Sequence, residues 1–222
     1  FTDSLKMMGH VWKRPDGEIF IASKGSPEKM LTLCDLSADE KRRVGERMES
    51  LARQGLRVIG VARGRAASPD GIPENLTDCR LTFAGLIGLY DPPRPCVKEN
   101  IAVCGQAGIR VVMITGDGAA TASAIASAVG IEVGDGVVTG DELDAMSDDE
   151  LCERVKSVNV FARVVPEHKM RIVKAFQANG AIVAMTGDGV NDAPALKHAD
   201  IGIAMGQRGS EVSREAADLV LT

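Results

Sequence analysis

A chain of 222 residues with 45% hydrophobic content can bury one large core or two modest ones. Its net charge of −5, with acids and bases interspersed, and its 3% aromatic content exclude the basic face and stacking platforms that a nucleic-acid partner needs. Five scattered cysteines without a C-x-x-C pair, and His10, His168 and His198 without ligand spacing, exclude a disulfide frame and a zinc site.

The first elements read as an antiparallel α+β unit. Pro15-Asp16-Gly17 between two apolar stretches predicts a hairpin. Ser37-Ala38-Asp39-Glu40 is a capping box, and the helix it opens carries Val44, Met48, Leu51 and Ala52 on one face until Gly55. Leu56 to Ala62 reads as a strand, 64–78 as a Gly/Pro/Ser/Asp-rich surface loop, and Leu81 to Tyr90 as another strand. Asp91-Pro92-Pro93-Arg94-Pro95 is a stiff break, because each proline fixes its own φ and restricts its predecessor. The expected division is therefore 1–89 and 90–222.

Beyond the break the pattern alternates between strand and helix. Helices are expected near 95–107 and 119–129, at Ser147-Asp148-Asp149-Glu150 (a second capping box), from Pro166 to Gly180, and near 192–198 and 209–216. Strands are expected at 109–114, 137–139, 158–162, 181–185 and 201–205. That alternation predicts a Rossmann-like parallel sheet. No apolar run reaches the roughly 18 residues of a membrane span, and no signal peptide is visible. The chain opens at Phe1 without an initiator methionine and stops in Leu219-Val220-Leu221, so a longer parent protein is expected.

The string Thr186-Gly187-Asp188-Gly189-Val190-Asn191-Asp192-Ala193-Pro194 follows the apolar run Ala181 to Met185. Open α/β sheets bind ligands beyond the carboxyl ends of their strands, and carboxylate and amide oxygens there suit magnesium shared with a phosphate. Asp188 is the expected direct ligand and Asn191 a hydrogen-bond partner. A second triplet, Thr115-Gly116-Asp117, ends the run from Ile109 to Ile114; its hydroxyl and free amides suit a phosphate, or Asp117 serves only as a helix cap. Lys169 stands in the first turn of a helix, where a cation opposes the dipole unless an anion or carboxylate waits nearby. Arg163 closes a strand and could face the same pocket. Lys24, in Lys24-Gly25-Ser26-Pro27-Glu28, ends a strand and could bind a phosphate, stack near a base or be a solvated surface lysine.

Together these strings resemble the P-type cation-transporting ATPases. Residues 86–222 are similar to the phosphorylation domain, whose fold is of the haloacid-dehalogenase type, and 1–85 to the later half of the nucleotide-binding domain. The resemblance implies ATP-driven ion transport through an aspartyl phosphate. It implies that Asp188 binds magnesium, with Asn191 and Asp192 supporting the phosphate and metal shell and Asp192 a further metal ligand. It implies that Lys169 neutralises the transferring phosphoryl group. Thr115, Gly116 and Asp117 match the segment near the phosphoryl group and ribose. Arg163 matches an arginine that approaches nucleotide. Lys24 and Arg57 match ATP-gripping residues, and Phe1 and Lys6 resemble the adenine-stacking phenylalanine and a nearby lysine. Lys-Gly-Ser-Pro-Glu and Gly85 to Arg94 place it nearest the calcium-pump-like branch, with the proton-pump branch open. ATP, magnesium, a transported cation held by absent membrane helices, and the remaining domains of the parent are the implied partners, with the chain a cytosolic part of a membrane protein.

The departures matter as much. The nucleophile string Asp-Lys-Thr-Gly-Thr, any Asp-x-Asp, and the dephosphorylation string Thr-Gly-Glu-Ser are absent. The strand bearing the nucleophile is normally central in the sheet, so this chain is expected to lack a central strand and to be unable to form the aspartyl phosphate alone. A soluble phosphatase or phosphotransferase of the same superfamily and a non-catalytic nucleotide-binding module are the alternatives.

Overall fold

The computed structural model describes residues 5–66 and 71–222. Phe1 lies outside the described residues. The chain divides into two compact units, Phe1–Pro92 and Pro93–Thr222.

In the first unit, β1 (Met7–Lys13), β2 (Ile19–Gly25), β3 (Arg57–Ala66) and β4 (Thr82–Leu89) form one antiparallel sheet in that order. The hairpin turn falls where Pro15-Asp16-Gly17 placed it: Gly17 takes φ +89° and its N–H donates to the Arg14 carbonyl at 2.9 Å. Helices α1 (Pro27–Leu33) and α2 (Ala38–Ala52) return the chain from β2 to β3. The box at Ser37 is formed, with the Ser37 N–H donating to Glu40 Oε2 at 2.9 Å and the Glu40 N–H to Ser37 Oγ at 3.3 Å. The core is one-sided. Along β2 burial alternates, with Ile19, Ile21 and Ser23 buried, and Ile21 packs with Met7, Met30, Cys34, Ala62, Cys79 and Leu81. Burying each side chain of this size is worth about 1.5–3 kcal/mol.

The second unit is a parallel α/β structure with two ladders. Strands β5 (Met113–Ile114), β6 (Val137–Thr139) and β7 (Val160–Ala162) pair in the order β5-β7-β6. Strands β8 (Ala184–Gly187), β9 (Ile201–Met205) and β10 (Leu219–Leu221) pair in the order β10-β9-β8. All four strand pairings are parallel. The covering helices are α3 (Val97–Gln106), α4 (Ala119–Val129), α5 (Gly140–Ala145), α6 (Asp148–Arg154), α7 (Pro166–Ala178), α8 (Ala193–His198) and α9 (Glu211–Ala216). Helix α7 serves both ladders. Its Ile172 and Ala175 pack with Phe161, Val138 and Leu143, while Val173 packs with Met185 and Leu196.

Two expected strands are shorter than their apolar runs. Of 109–114 only Met113–Ile114 is paired, and of 181–185 only Ala184 and Met185, in a strand that continues to Gly187. Both strands are terminal in their ladders, so Ile109 and Ile182 stand 58% and 79% exposed without strand partners. In the opposite sense, β3 runs through Ala66, past the expected start of the surface loop at 64, because Gly64, Arg65 and Ala66 pair with Ile21, Phe20 and Ile19. Helix α1, helix α5 and strand β10 have no counterpart in the expected elements.

Candidate functional site

The carboxyl end of β8 passes directly into the Asp188 loop. Gly187 is there because Asp192 folds back over it: a Cβ at 187 would stand 2.5 Å from the Asp192 Cβ. Asp192, buried in a 3-10 turn (Val190–Asp192), organises the loop with one carboxylate oxygen. Its Oδ2 accepts the N–H groups of Asp188 at 3.2 Å and Gly189 at 3.0 Å. Its Oδ1 pairs with Lys169 Nζ at 2.5 Å, both side chains being largely shielded. The anion that a first-turn lysine of α7 requires is therefore Asp192, 23 residues along the chain. Asp188 and Asn191 are exposed at the rim, leaving the Asp188 carboxylate as the open one.

Asp188 is also held from α9. Its carbonyl accepts the Ser210 N–H at 2.8 Å and the buried Ser213 hydroxyl approaches it at 3.3 Å. Ser210 caps α9 by accepting the Ser213 N–H at 3.1 Å. Neither serine was among the expected site residues; the signal available was a serine cap directly before the last helix.

The second triplet follows β5. The Asp117 N–H donates to Thr115 Oγ1 at 3.1 Å, a turn that the threonine hydroxyl closes on itself. Helix α4 is capped at Gly118, one residue beyond Asp117. Arg163, at the carboxyl end of β7, donates its N–H to the Asp117 carbonyl at 2.9 Å, and the Val164 N–H reaches the Thr115 carbonyl at 3.0 Å. Arg163 holds φ +52°, an uncommon backbone for a side chain of this size and one that collects at functional sites. Gly116 differs from Gly187: a Cβ there would meet nothing within 4 Å.

Five residues separate Arg163 from Lys169, and that short piece ties the two strand ends together. Its start bonds the Thr115–Asp117 turn and its end grips Asp192. Thr115, Asp117, Arg163, Lys169, Asp188 and Asp192 thus gather along the carboxyl edge of the second unit, where parallel sheets bind ligands.

In the first unit, the register puts Lys24 opposite Val61 and Arg57 opposite Leu89. Residues 57, 59 and 61 share one face of β3, so Lys24, Ile59, Arg57, Ile87 and Leu89 share the sheet face opposite the helices. Ile87 and Leu89 are 47% and 46% exposed there, an apolar strip flanked by two cations. Lys6 lies by the end of β2, next to Lys24: its carbonyl accepts the Ser26 N–H at 2.9 Å, and a Cβ on Gly25 would lie 2.4 Å from that carbonyl.

Elsewhere in the second unit, hydrogen bonds hold carboxylates ionised. The Thr139 hydroxyl, then the Thr139 N–H, keep Glu142 below the ordinary glutamate range. The Val183 N–H, then the Gln177 amide, do the same for Asp200 just before β9. Among the described residues no group of three or more His, Cys, Asp or Glu side chains gathers as a metal cluster, and no helix is long and apolar enough to cross a membrane.

The family described as haloacid dehalogenase-like hydrolase matches residues 16–200. The chain is 47% identical over 216 residues to a probable cation-transporting ATPase F of Mycobacterium tuberculosis, covering 91% of this chain and 24% of that protein. It is 48% identical over 207 residues to calcium-transporting ATPase 1 of Saccharomyces cerevisiae, covering 91% and 21%. With a calcium-transporting ATPase of Bacillus subtilis it shares 42% identity over 232 residues, covering 100% and 26%. The chain spans about a quarter of the length of these relatives.

Proposed function

The chain belongs to the haloacid dehalogenase-like hydrolase family, and on that premise we propose that it is the ATP-handling part of a cation-transporting ATPase of the P-type. The single observation that supports this best is the Lys169–Asp192 pair standing beside the open carboxylate of Asp188 at a parallel strand end. Lys169 is held where it can neutralise a phosphoryl group, and Asp192 is committed to holding Lys169 and the loop. The metal-ligand role expected of both aspartates falls mainly to Asp188. A single open carboxylate fits magnesium, which keeps several waters and shares a phosphate. Magnesium bound there would neutralise charge on the transferred phosphate.

Thr115 and the Gly116 amide would orient the phosphoryl group, with Asp117 beside them in the same turn, and Arg163 would meet the nucleotide from the same edge. The exposed apolar strip on the face that carries Lys24 and Arg57 suits a purine with its phosphates, and Lys6 stands near Lys24 at the end of β2. In the reaction an aspartate oxygen attacks the terminal phosphorus, the bond to ADP breaks, and water later cleaves the acyl phosphate. That aspartate is absent here, and β5 and β8 are both terminal in their ladders, so the strand that bears it would come from another part of the parent. The cation, calcium by the relatives' names, would cross elsewhere in that parent.

The parent protein in sealed vesicles should show magnesium- and ATP-dependent cation uptake, lost in Asp188→Ala and Lys169→Met. ATP titration of this chain should weaken in Lys24→Ala, and magnesium binding in Asp188→Ala. The chain alone should incorporate no acid-stable phosphate from labelled ATP. Uptake that survives both site changes would sink the proposal, and phosphate incorporation by the chain alone would sink the missing-strand reading.

A further inference from the structure

Among the described residues, the buried histidine, lysine, arginine and acidic side chains are two: His168 at 4% exposure and Asp192 at 7%. Lys169 joins them, being the chain neighbour of one and the ion partner of the other. His168 was not a candidate on sequence, where it read only as one of three histidines without ligand spacing. In the fold it occupies the first turn of α7, with both ring nitrogens engaged. Its Nδ1 accepts the Val165 N–H at 3.4 Å, satisfying a donor that the helix start leaves open. Its Nε2 lies 2.8 Å from Asp144 Oδ1 on α5. A backbone N–H can only donate, so Nδ1 is bare and the proton sits on Nε2, pointing at Asp144.

Three further contacts grip the same side of α7. Arg171, one turn later, donates to the Leu143 and Met146 carbonyls at 2.7 and 2.8 Å and to Asp148 Oδ1 at 2.8 Å. Helix α5 begins at Gly140, where a Cβ would lie 2.3 Å from the Arg163 carbonyl and 3.3 Å from His168 Cε1. The Leu143–Asp148 elbow therefore clamps α7 on one side while Lys169 reaches Asp192 on the other.

We infer that His168, locked to Asp144, is a positioning residue that fixes the first turn of α7 and thereby aims Lys169 at Asp192. The chemical meaning of that aim rests on the proposed phosphoryl-transfer site; the positioning itself does not. A lysine ammonium on four rotatable bonds is a poor electrostatic catalyst unless its backbone is fixed, because the ion pair must otherwise overcome side-chain entropy.

The test is residue-resolved lysine methylation of the 222-residue chain, read by peptide mass spectrometry. In His168→Ala, modification of Lys169 should rise several-fold relative to the exposed Lys174 and Lys197, whose rates should stay at parental values. Asp144 is exposed, so its variants should fold even if His168→Ala does not. Asp144→Asn keeps an acceptor oxygen and should leave Lys169 near parental protection, while Asp144→Leu should raise its modification. Lys169 protection that is unchanged in the folded variants, that rises only in step with Lys174 and Lys197, or that responds equally to Asp144→Asn and Asp144→Leu overturns the inference. Methylation requires no nucleotide, metal or turnover, so a failed transport assay leaves this result standing and the reverse also holds.

Discussion

The first unit builds its sheet from neighbours: each strand pairs with the one before it, and helices cover one face only. The second unit pairs its strands in parallel, three times with the next strand in the chain and once, β5 to β7, past an intervening one. Its strands pair across crossovers, its core falls into three clusters, and one helix, α7, packs against both ladders. Antiparallel pairing is closed by short turns, whereas parallel pairing needs a crossover for every strand. The consequence reaches function. The first unit offers an open face on which one sheet holds Lys24 and Arg57, while the second assembles its edge from β5, β7, α7 and β8, so that no single segment contains it.

If the units are independent cores, a core deletion in one should leave the other's transition in place. Phe161→Ala removes the largest fully buried side chain of the second unit and should cost about 4 kcal/mol. Urea unfolding followed by circular dichroism should show that loss, while fluorescence of Trp12, the single tryptophan and a β1 residue, should hold its midpoint. Coincident shifts of both probes would mean that the two cores unfold as one.

Asp192→Ala should cost somewhat less, about 3 kcal/mol, again in the second unit alone. It strands a shielded lysine and leaves the Asp188 and Gly189 amides without their acceptor. A denaturation midpoint within error of the parent would show that the pair contributes position without stability.

Met30→Ala reverses the comparison. Truncating this fully buried residue beneath β3 should destabilise the first unit by about 2 kcal/mol and move the Trp12 transition, with the second-unit transition unchanged.

The smallest expected effect is acid sensitivity. Ser37 holds Glu40 below the usual range, first by its hydroxyl, as Thr139 does Glu142, while Glu150 is held down first by the Ser147 N–H and then by its hydroxyl. A depressed folded pKa contributes stability above the unfolded value of about 4.3 and loses it as pH falls through the folded value. Among the described residues the second unit has two such boxes and Asp200, the first unit one, so acidification below about pH 4.3 should weaken the second unit more. Glu142→Gln should flatten that difference in urea midpoints measured across the acid range.

Much of the architecture was legible because it is local. The hairpin at Gly17, the boxes at Ser37 and Ser147, and the stop at Gly180 depend on dihedral freedom and on hydrogen bonds within four residues. The first-turn lysine even announced that it needed an anion. The apolar runs from Ile109 and Ala181 misled, because apolarity marks a segment for burial while only a neighbouring strand completes a ladder.

By itself, then, the chain determined the order of its elements and which residues follow β5, β7 and β8, since periodicity, glycine and capping act over a few residues. Tertiary structure alone decided which of those residues meet. Asp188 and Asp192 are near equivalents on the page, yet one carboxylate faces outward and the other is committed to Lys169 and two amides. His168 gains its place through Asp144, 24 residues away. Such pairings depend on crossovers and packing, which no local pattern encodes.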